Sequence, residues 1–381
     1  AKSGHRVWII TTSPFGWAYE EKDPADFFIY RLRGWKNPFR RGLRVSLPSN
    51  VREVRRFLDE LKPDIIHLQD PAVLSRMIQK EAKRRGIPVI IHHHFSMEFV
   101  LAYFKRMRFF HIFVRAFIEH RVHKLYNQCE IIITPTEFVK HGLAKWGVKT
   151  PIVAISNGIE LSRFHPGDPG KEFFERFGIS QEDKIVLYLG RLDKDKNIFT
   201  LIKAIPLILE KAEAKIPNES IKFVFVGEGT ERKKLQAKIN RYPWCNLVKF
   251  LGFIPYEDEA VPKIYQASDL YWTASTIETQ SLTTLEAMAT GLPAVAANAG
   301  ALPEIVHENQ NGFLIEPYNA EGFAEAVVQI LSNPELSLKF SKRSIEIASE
   351  HDIKKSFSRI CQIYEEIIKR KTGYQRAKSA V

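Results

Sequence analysis

Cysteine is scarce in this chain: three residues in 381, Cys129, Cys245 and Cys361. They lie far apart and form neither a metal-ligand spacing nor a disulfide framework, so a reducing compartment is expected. No uninterrupted apolar run reaches the length of a membrane span, which leaves no candidate spanning helix. Short internal repeats and low-complexity tracts are also missing, which excludes a repeat array. Acidic residues are under-represented in one half only. Residues 1–160 hold 27 Lys and Arg against 15 Asp and Glu, and residues 161–381 hold 29 of each. The whole formal charge of +12 therefore belongs to the first half. A one-sided basic domain suits an anionic surface: a membrane leaflet, nucleic acid or an acidic substrate. Cations that merely aid solubility fit the composition too, but they would not need to be so unevenly placed.

The length suits two domains, each with its own core. Val7–Thr11, Pro63–Leu68, Pro88–His92 and Ile131–Thr134 read as strands in the first half. Helices are expected over Val51–Leu61, with Ser49 or Asn50 as cap, and over Ala72–Arg85, ending at Gly86. The second half reads as strands at Lys184–Leu189, Ile221–Val226, Leu247–Leu251, Asp269–Thr273 and Ala294–Ala297, with helical segments between. Such alternation means α/β domains with parallel sheets, and two such sheets facing each other leave a cleft at their strand ends. The proline- and glycine-rich link Leu161–Gly170 is the expected boundary.

One segment carries more information than the rest. Glu278 follows an expected strand end, and Glu286 lies in an expected helix that closes at Gly291 and Pro293. The intervening helix N-terminus offers free N–H groups and a positive dipole end, which suit a phosphate. Carboxylates accept hydrogen bonds from sugar hydroxyls. The segment thus has three points at which to hold a nucleotide sugar. An ordinary amphipathic helix with two solvated acids fits the same spacing.

This glutamate pair, followed by Ala287, Met288, Ala289, Gly291 and Pro293, resembles the donor-site signature of family-four retaining glycosyltransferases of GT-B fold. Other likenesses follow in chain order: Asn157–Ile159, Gly190–Asn197, Val226–Glu231, Leu251–Ile254, Leu302–Val306 and Asn311–Leu314. The likeness implies two facing Rossmann-like domains with a cleft between them. It also implies an acceptor domain over 1–162, a nucleotide-sugar domain over 163–350 and a C-terminal segment, 351–381, crossing back to the first domain. Phe357, Ile360, Ile363, Tyr364 and Ile367 have the helical spacing for that crossing, though an end helix packed on the second domain would show it too. Residues 1–4 read as a last helical turn with Gly4 as its terminator. Family members carry a strand and a glycine-rich loop ahead of this point, so those pieces are expected to be absent.

By this resemblance, Arg191 and Lys196 neutralise the departing diphosphate, Glu278 contacts the transferred sugar and His94 faces it from the first domain. These four are the expected catalytic residues. Gly190, Gly227, Gly252, Phe253, Ser281, Leu282 and Glu286 are the expected donor-binding set. Ser281 departs from the family's usual glycine, and its Cβ is expected to crowd a close backbone approach. Glu304 reads equally as a ligand or as a helix cap. His92, His93 and His94 adjoin, but neighbours on a strand point to opposite faces, so all three do not easily converge on one ion. The resemblance implies donor binding without a metal, and no metal site and no cofactor are expected.

Phe99, Tyr103, Met107, Phe110, Val114, Phe117 and Leu125 approximate one helical face, as a core helix would. Phe109, Ile112 and Phe113 form a second apolar patch that one buried face does not explain. Cations lie among them, as at an anionic membrane interface. Trp35, Phe39, Lys105, Arg106, Arg108, Phe109 and Phe113 are the expected membrane-facing residues. Glu278 to Gln280 also resembles the variant in enzymes acting on diacylglycerol. The expectation is a metal-independent hexosyltransferase using UDP-glucose, with GDP-mannose as rival donor, on a membrane lipid. It would be cytoplasmic and peripheral at the inner membrane face. A soluble saccharide or metabolite acceptor, or a nucleotide-binding fragment without turnover, are the competing readings. No recognition motif supports specific nucleic-acid binding.

Overall fold

The computed structural model describes residues 4–23, 27–36, 44–94 and 108–379. The chain divides into two compact units. The first takes the described residues up to Thr134, Lys140–Ala154 and those from Cys361 onward; the second takes Pro135–Val139 and Ile155–Ile360. The division at 154 and 155 precedes the proline- and glycine-rich link.

The first unit contains β1 (Trp8–Thr12), β2 (Tyr19–Asp23), β3 (Phe27–Leu32), β4 (Gly34–Lys36), β5 (Arg44–Ser46), β6 (Ile66–Leu68), β7 (Val89–His92), β8 (Ile131–Thr134) and β9 (Ile152–Ala154). Strands β6-β7-β8-β9 form the expected parallel sheet. Residues 19–46 depart from the parallel plan. There β2 runs antiparallel to β3, and β4 antiparallel to β5. Only three residues separate β2 from β3, too few for the crossover that a parallel pair needs. Strand β1 is parallel to β3, in a sheet separate from β6–β9.

The helix Val51–Leu61 buries Val54, Phe57 and Leu58, spaced for one face. Asn50 does not cap it through its side chain. Its amide instead donates to the Arg33 carbonyl at 2.7 Å and to Ser46 Oγ at 2.9 Å, tying the helix start to β5. The helix Val73–Arg85 ends at Gly86, whose φ of 68° suits glycine.

In the second unit, β10 (Lys184–Leu189), β11 (Ile221–Val226), β12 (Val248–Gly252), β13 (Leu270–Thr273), β14 (Ala294–Ala297) and β15 (Gly312–Ile315) form one parallel sheet. Its order is β12-β11-β10-β13-β14-β15. Chain direction across the sheet reverses between β10 and β13, the position where doubly wound sheets bind ligands beyond their strand ends. Trp272, Tyr188, Tyr265, Tyr271, Phe223 and Phe225 fill the core. The C-terminal helix Ile353–Ser379 buries Ile363 and Ile367, whereas Phe357 is exposed and not part of the buried stripe.

Candidate functional site

Three glycines terminate three neighbouring strands of the second unit. Gly190 N–H donates to the Val226 carbonyl at 3.0 Å, and Gly227 N–H to the Gly252 carbonyl at 2.7 Å. A Cβ on Gly227 would sit 2.0 Å from the Gly190 oxygen, and its φ is 126°. Only glycine permits that approach. The turns after β10, β11 and β12 are therefore drawn together, and Phe253 follows them at 70% exposure. Such exposure rules out a core role for that ring.

The loop after β10 carries the expected cations. Arg191 forms ion pairs with Asp193 and, at 2.9 Å, with Asp195. Asp193 also accepts from Thr230 N–H and Oγ1, both at 2.9 Å. Its carboxyl is held below the usual range: burial raises it, but the Thr230 hydrogen bonds and the Arg191 charge outweigh that. Lys196 reaches across to Glu278 at 2.5 Å and Ser275 Oγ at 3.5 Å. Thr276 N–H donates to the Asp195 carbonyl at 3.1 Å, fastening the loop after β13 to the loop after β10. Gly300 then packs against Glu278, where an added Cβ would lie 2.7 Å from the Glu278 carbonyl oxygen. The structure thus brings Arg191, Lys196 and Glu278 together at the switch point of the sheet.

The helix Leu282–Ala289 starts beside them. Ser281 is its N-cap residue, with φ −91° and ψ 92°. That conformation is open to any residue, so serine in the usual glycine position costs the backbone nothing. Its Oγ bonds Thr284 Oγ1 at 2.8 Å and leaves the first N–H groups unbonded by its side chain. Leu282 is partly exposed at the helix start. Glu286, inside the helix, is 6% exposed and accepts from Tyr265 Oη at 2.8 Å. Burial pushes its carboxyl up to about 7. Gln280 holds the junction, accepting from Asn157 N–H at 2.9 Å and donating to Ser156 Oγ at 2.7 Å.

Glu304 accepts from the backbone N–H groups of Glu137, at 3.0 Å, and Phe138, so here it caps the helix Glu137–Ala144. Sequence reasoning passed over Tyr265, twenty-one residues before its partner Glu286, because no local pattern links them. It also passed over Asp193 and Asp195, for which the alternating charges of residues 191–196 were a usable signal.

In the first unit, His94 stacks on His92 with ring centroids 4.1 Å apart. His93 turns the other way and meets Tyr126 Oη through Nδ1 at 2.6 Å. On the helix Arg108–Tyr126, Val122, Leu125 and Tyr126 are buried, whereas Ile112, Phe113 and Phe117 are exposed. Phe117 thus leaves the core stripe and joins the second patch, with the Arg121 guanidinium 5.6 Å from its ring centre. Trp35 is 74% exposed. Phe39, Lys105 and Arg106 lie outside the described residues, as do Phe99, Tyr103 and Met107, and Arg108 and Phe109 fall in the helix's first turn. Among the described residues, no helix is long and apolar enough to cross a membrane. No group of three or more His, Cys, Asp or Glu among them is placed to hold a metal.

Two family models divide the chain between them. "Glycosyltransferase Family 4" matches residues 1–163 and "Glycosyl transferases group 1" matches residues 170–347. The chain belongs to glycosyltransferase family 4. It is 25% identical over 376 residues to an alpha-monoglucosyldiacylglycerol synthase of Acholeplasma laidlawii, covering 96% of this chain and 90% of that one. A synthase of the same name from Streptococcus pneumoniae is 26% identical over 364 residues, covering 92% and 77%. Among solved structures, sucrose-phosphate synthase from Thermosynechococcus elongatus matches with a TM-score of 0.74 at 19% identity, covering 97% of this chain and 90% of that one. Anabaena HepE in complex with UDP-glucose matches at 0.67 and 21% identity, covering 84% of each. These likenesses give this family-four transferase the GT-B fold, with two Rossmann-like units.

Proposed function

We propose that this family-four transferase moves a hexose from a nucleotide sugar, UDP-glucose before GDP-mannose, to a membrane lipid, with retention and without a metal. The observation that carries the reading is the exposed face of the helix Arg108–Tyr126. Ile112, Phe113 and Phe117 stand in solvent beside Arg115 and Arg121, in the half of the chain that holds all the excess charge. Apolar side chains inside a cationic rim suit an anionic leaflet. The two synthases, whose names specify glucose on diacylglycerol in alpha linkage, support both the acceptor class and retention from an alpha-linked donor.

In this reading the second unit holds the donor. Arg191 and Lys196 meet the diphosphate, where charge grows as the glycosidic bond breaks, and cations placed there favour the transition state over the ground state. The first N–H groups at Leu282 meet the same phosphates. Glu286 takes the ribose hydroxyls and Glu278 the transferred sugar. By the family resemblance, His94 is also assigned to the transferred sugar. The ion pairs of Arg191 with Asp193 and Asp195, and of Lys196 with Glu278, keep the cations in place until the donor's phosphates replace those partners.

The test is incubation of the chain with labelled UDP-glucose, and separately GDP-mannose, over anionic vesicles containing diacylglycerol. Label should enter a lipid product from UDP-glucose and vanish with Glu278→Ala. Label appearing only on a water-soluble saccharide or metabolite would overturn the lipid acceptor and leave the transferase reading standing.

A further inference from the structure

We propose that Tyr364 and His67 are positioning residues for His94, acting through the ring of His92. The proposal rests on the reading of His94 as a contact to the transferred sugar. His92 and His94 are two residues apart at the end of β7 and so share a side. Their rings stack at 4.1 Å with an interplanar angle of 23°. His67 stands on β6, the strand paired with β7, and its ring lies parallel to His92 within 4° at 5.7 Å. Tyr364, on the C-terminal helix, completes the row: its Oη lies 2.6 Å from His67 Nδ1.

This row is unlike the ordinary burial of histidine. Among the described residues, the Nε2 atoms of both His67 and His92 are buried without a hydrogen-bond partner, although buried polar atoms are nearly always paired. Stacked, parallel rings also keep their in-plane nitrogens from converging on one ion, so metal ligation does not account for them. What the arrangement does fix is orientation. Burial keeps the Tyr364 hydroxyl protonated, pushing it up to about 12, so it stays a hydrogen-bond partner of His67 Nδ1 in either tautomer of that ring. His67 then sets the plane of His92, and His92 that of His94. Burial and the neighbouring histidines lower the basicity of His67 and His92. Burial lowers that of His94 as well, against the opposing charge of Asp70. The lowered basicity of all three rings favours their neutral forms, which stack without charge repulsion.

The test uses the full chain, with imidazole nitrogen NMR of its histidines and turnover of UDP-glucose on diacylglycerol vesicles. Tyr364→Phe keeps the ring and removes the hydroxyl. It should shift the His94 imidazole signals and lower kcat about tenfold, with KM for UDP-glucose and binding of UDP unchanged. His94 signals that stay in place in Tyr364→Phe would overturn the coupling, as would an unaltered kcat. His94→Ala separates the two claims: turnover like that of the unaltered chain would remove the role of His94 itself, whatever Tyr364→Phe does to the spectrum.

Discussion

Glu286 is a buried carboxyl to which the proposed function also gives a ligand. It sits in a helix interior against Tyr265, almost out of water, and burial raises its carboxyl from 4.5 to about 7. The folded value lies above the unfolded one, so the folded chain holds a proton that the unfolded chain has released between those limits. The stability tied to the neutral carboxyl is present below about pH 4.5 and is lost as pH rises to about 7, a change of about 3 kcal/mol. Urea midpoints measured from pH 4.5 to 7.5 should therefore drift downward through this group, and Glu286→Gln should remove that part of the drift. Affinity for UDP should run the other way, strengthening toward pH 7.5 as the carboxylate becomes able to accept from both ribose hydroxyls. A Gln variant whose urea midpoints keep the full drift would refute the assignment.

The helix Arg108–Tyr126 buries Val122, Leu125 and Tyr126 near its end and leaves Ile112, Phe113 and Phe117 in solvent before them. Burying each of Ile112 and Phe113 in a leaflet is worth about 1.5–3 kcal/mol, so charge there should be costly for membrane binding and cheap for folding. Ile112→Asp with Phe113→Asp should lower vesicle co-sedimentation more than about tenfold, while the thermal midpoint and UDP affinity stay as they were. Equal co-sedimentation of variant and parent would exclude this helix as the contact. The same element shows what was legible beforehand. Its second apolar patch was readable because one buried face cannot absorb both stripes. The exposure of Phe117 was not, since it depends on where the core stops beneath the helix. Elsewhere, parallel strands such as Lys184–Leu189 and Ile221–Val226 were visible as dense apolar runs buried on both faces. The pairs β2–β3 and β4–β5 were not, because half-exposed, charged strands such as Tyr19–Asp23 carry no such run. At the site, Arg191, Lys196, Glu278 and Glu286 came from resemblance to the family's motifs. Their partners Asp193, Asp195 and Tyr265 depend on how the loops and helices fold back, as does the Tyr364 to His67 contact between residues 297 positions apart.

At the scale of the whole molecule, residues 1–160 carry the net +12 and also the exposed Trp35, Ile112, Phe113 and Phe117. Electrostatic attraction to a leaflet acts over a Debye length, about 10 Å at 0.1 M salt and 3 Å at 1 M. Apolar insertion does not weaken with salt in this way. The two contributions are therefore separable by one titration. Co-sedimentation with anionic vesicles should fall at least about tenfold between 0.1 and 1 M salt, to a residue that the Ile112→Asp and Phe113→Asp variant lacks. Uncharged vesicles should retain only that residue at any salt. Duplex DNA should compete at low salt through the same cations, but it offers nothing to the exposed aromatic side chains, so its competition should vanish at 1 M. Binding to vesicles that is lost completely at high salt would mean that charge alone holds the chain there. The apolar face would then have to serve an acceptor other than a lipid in the bilayer.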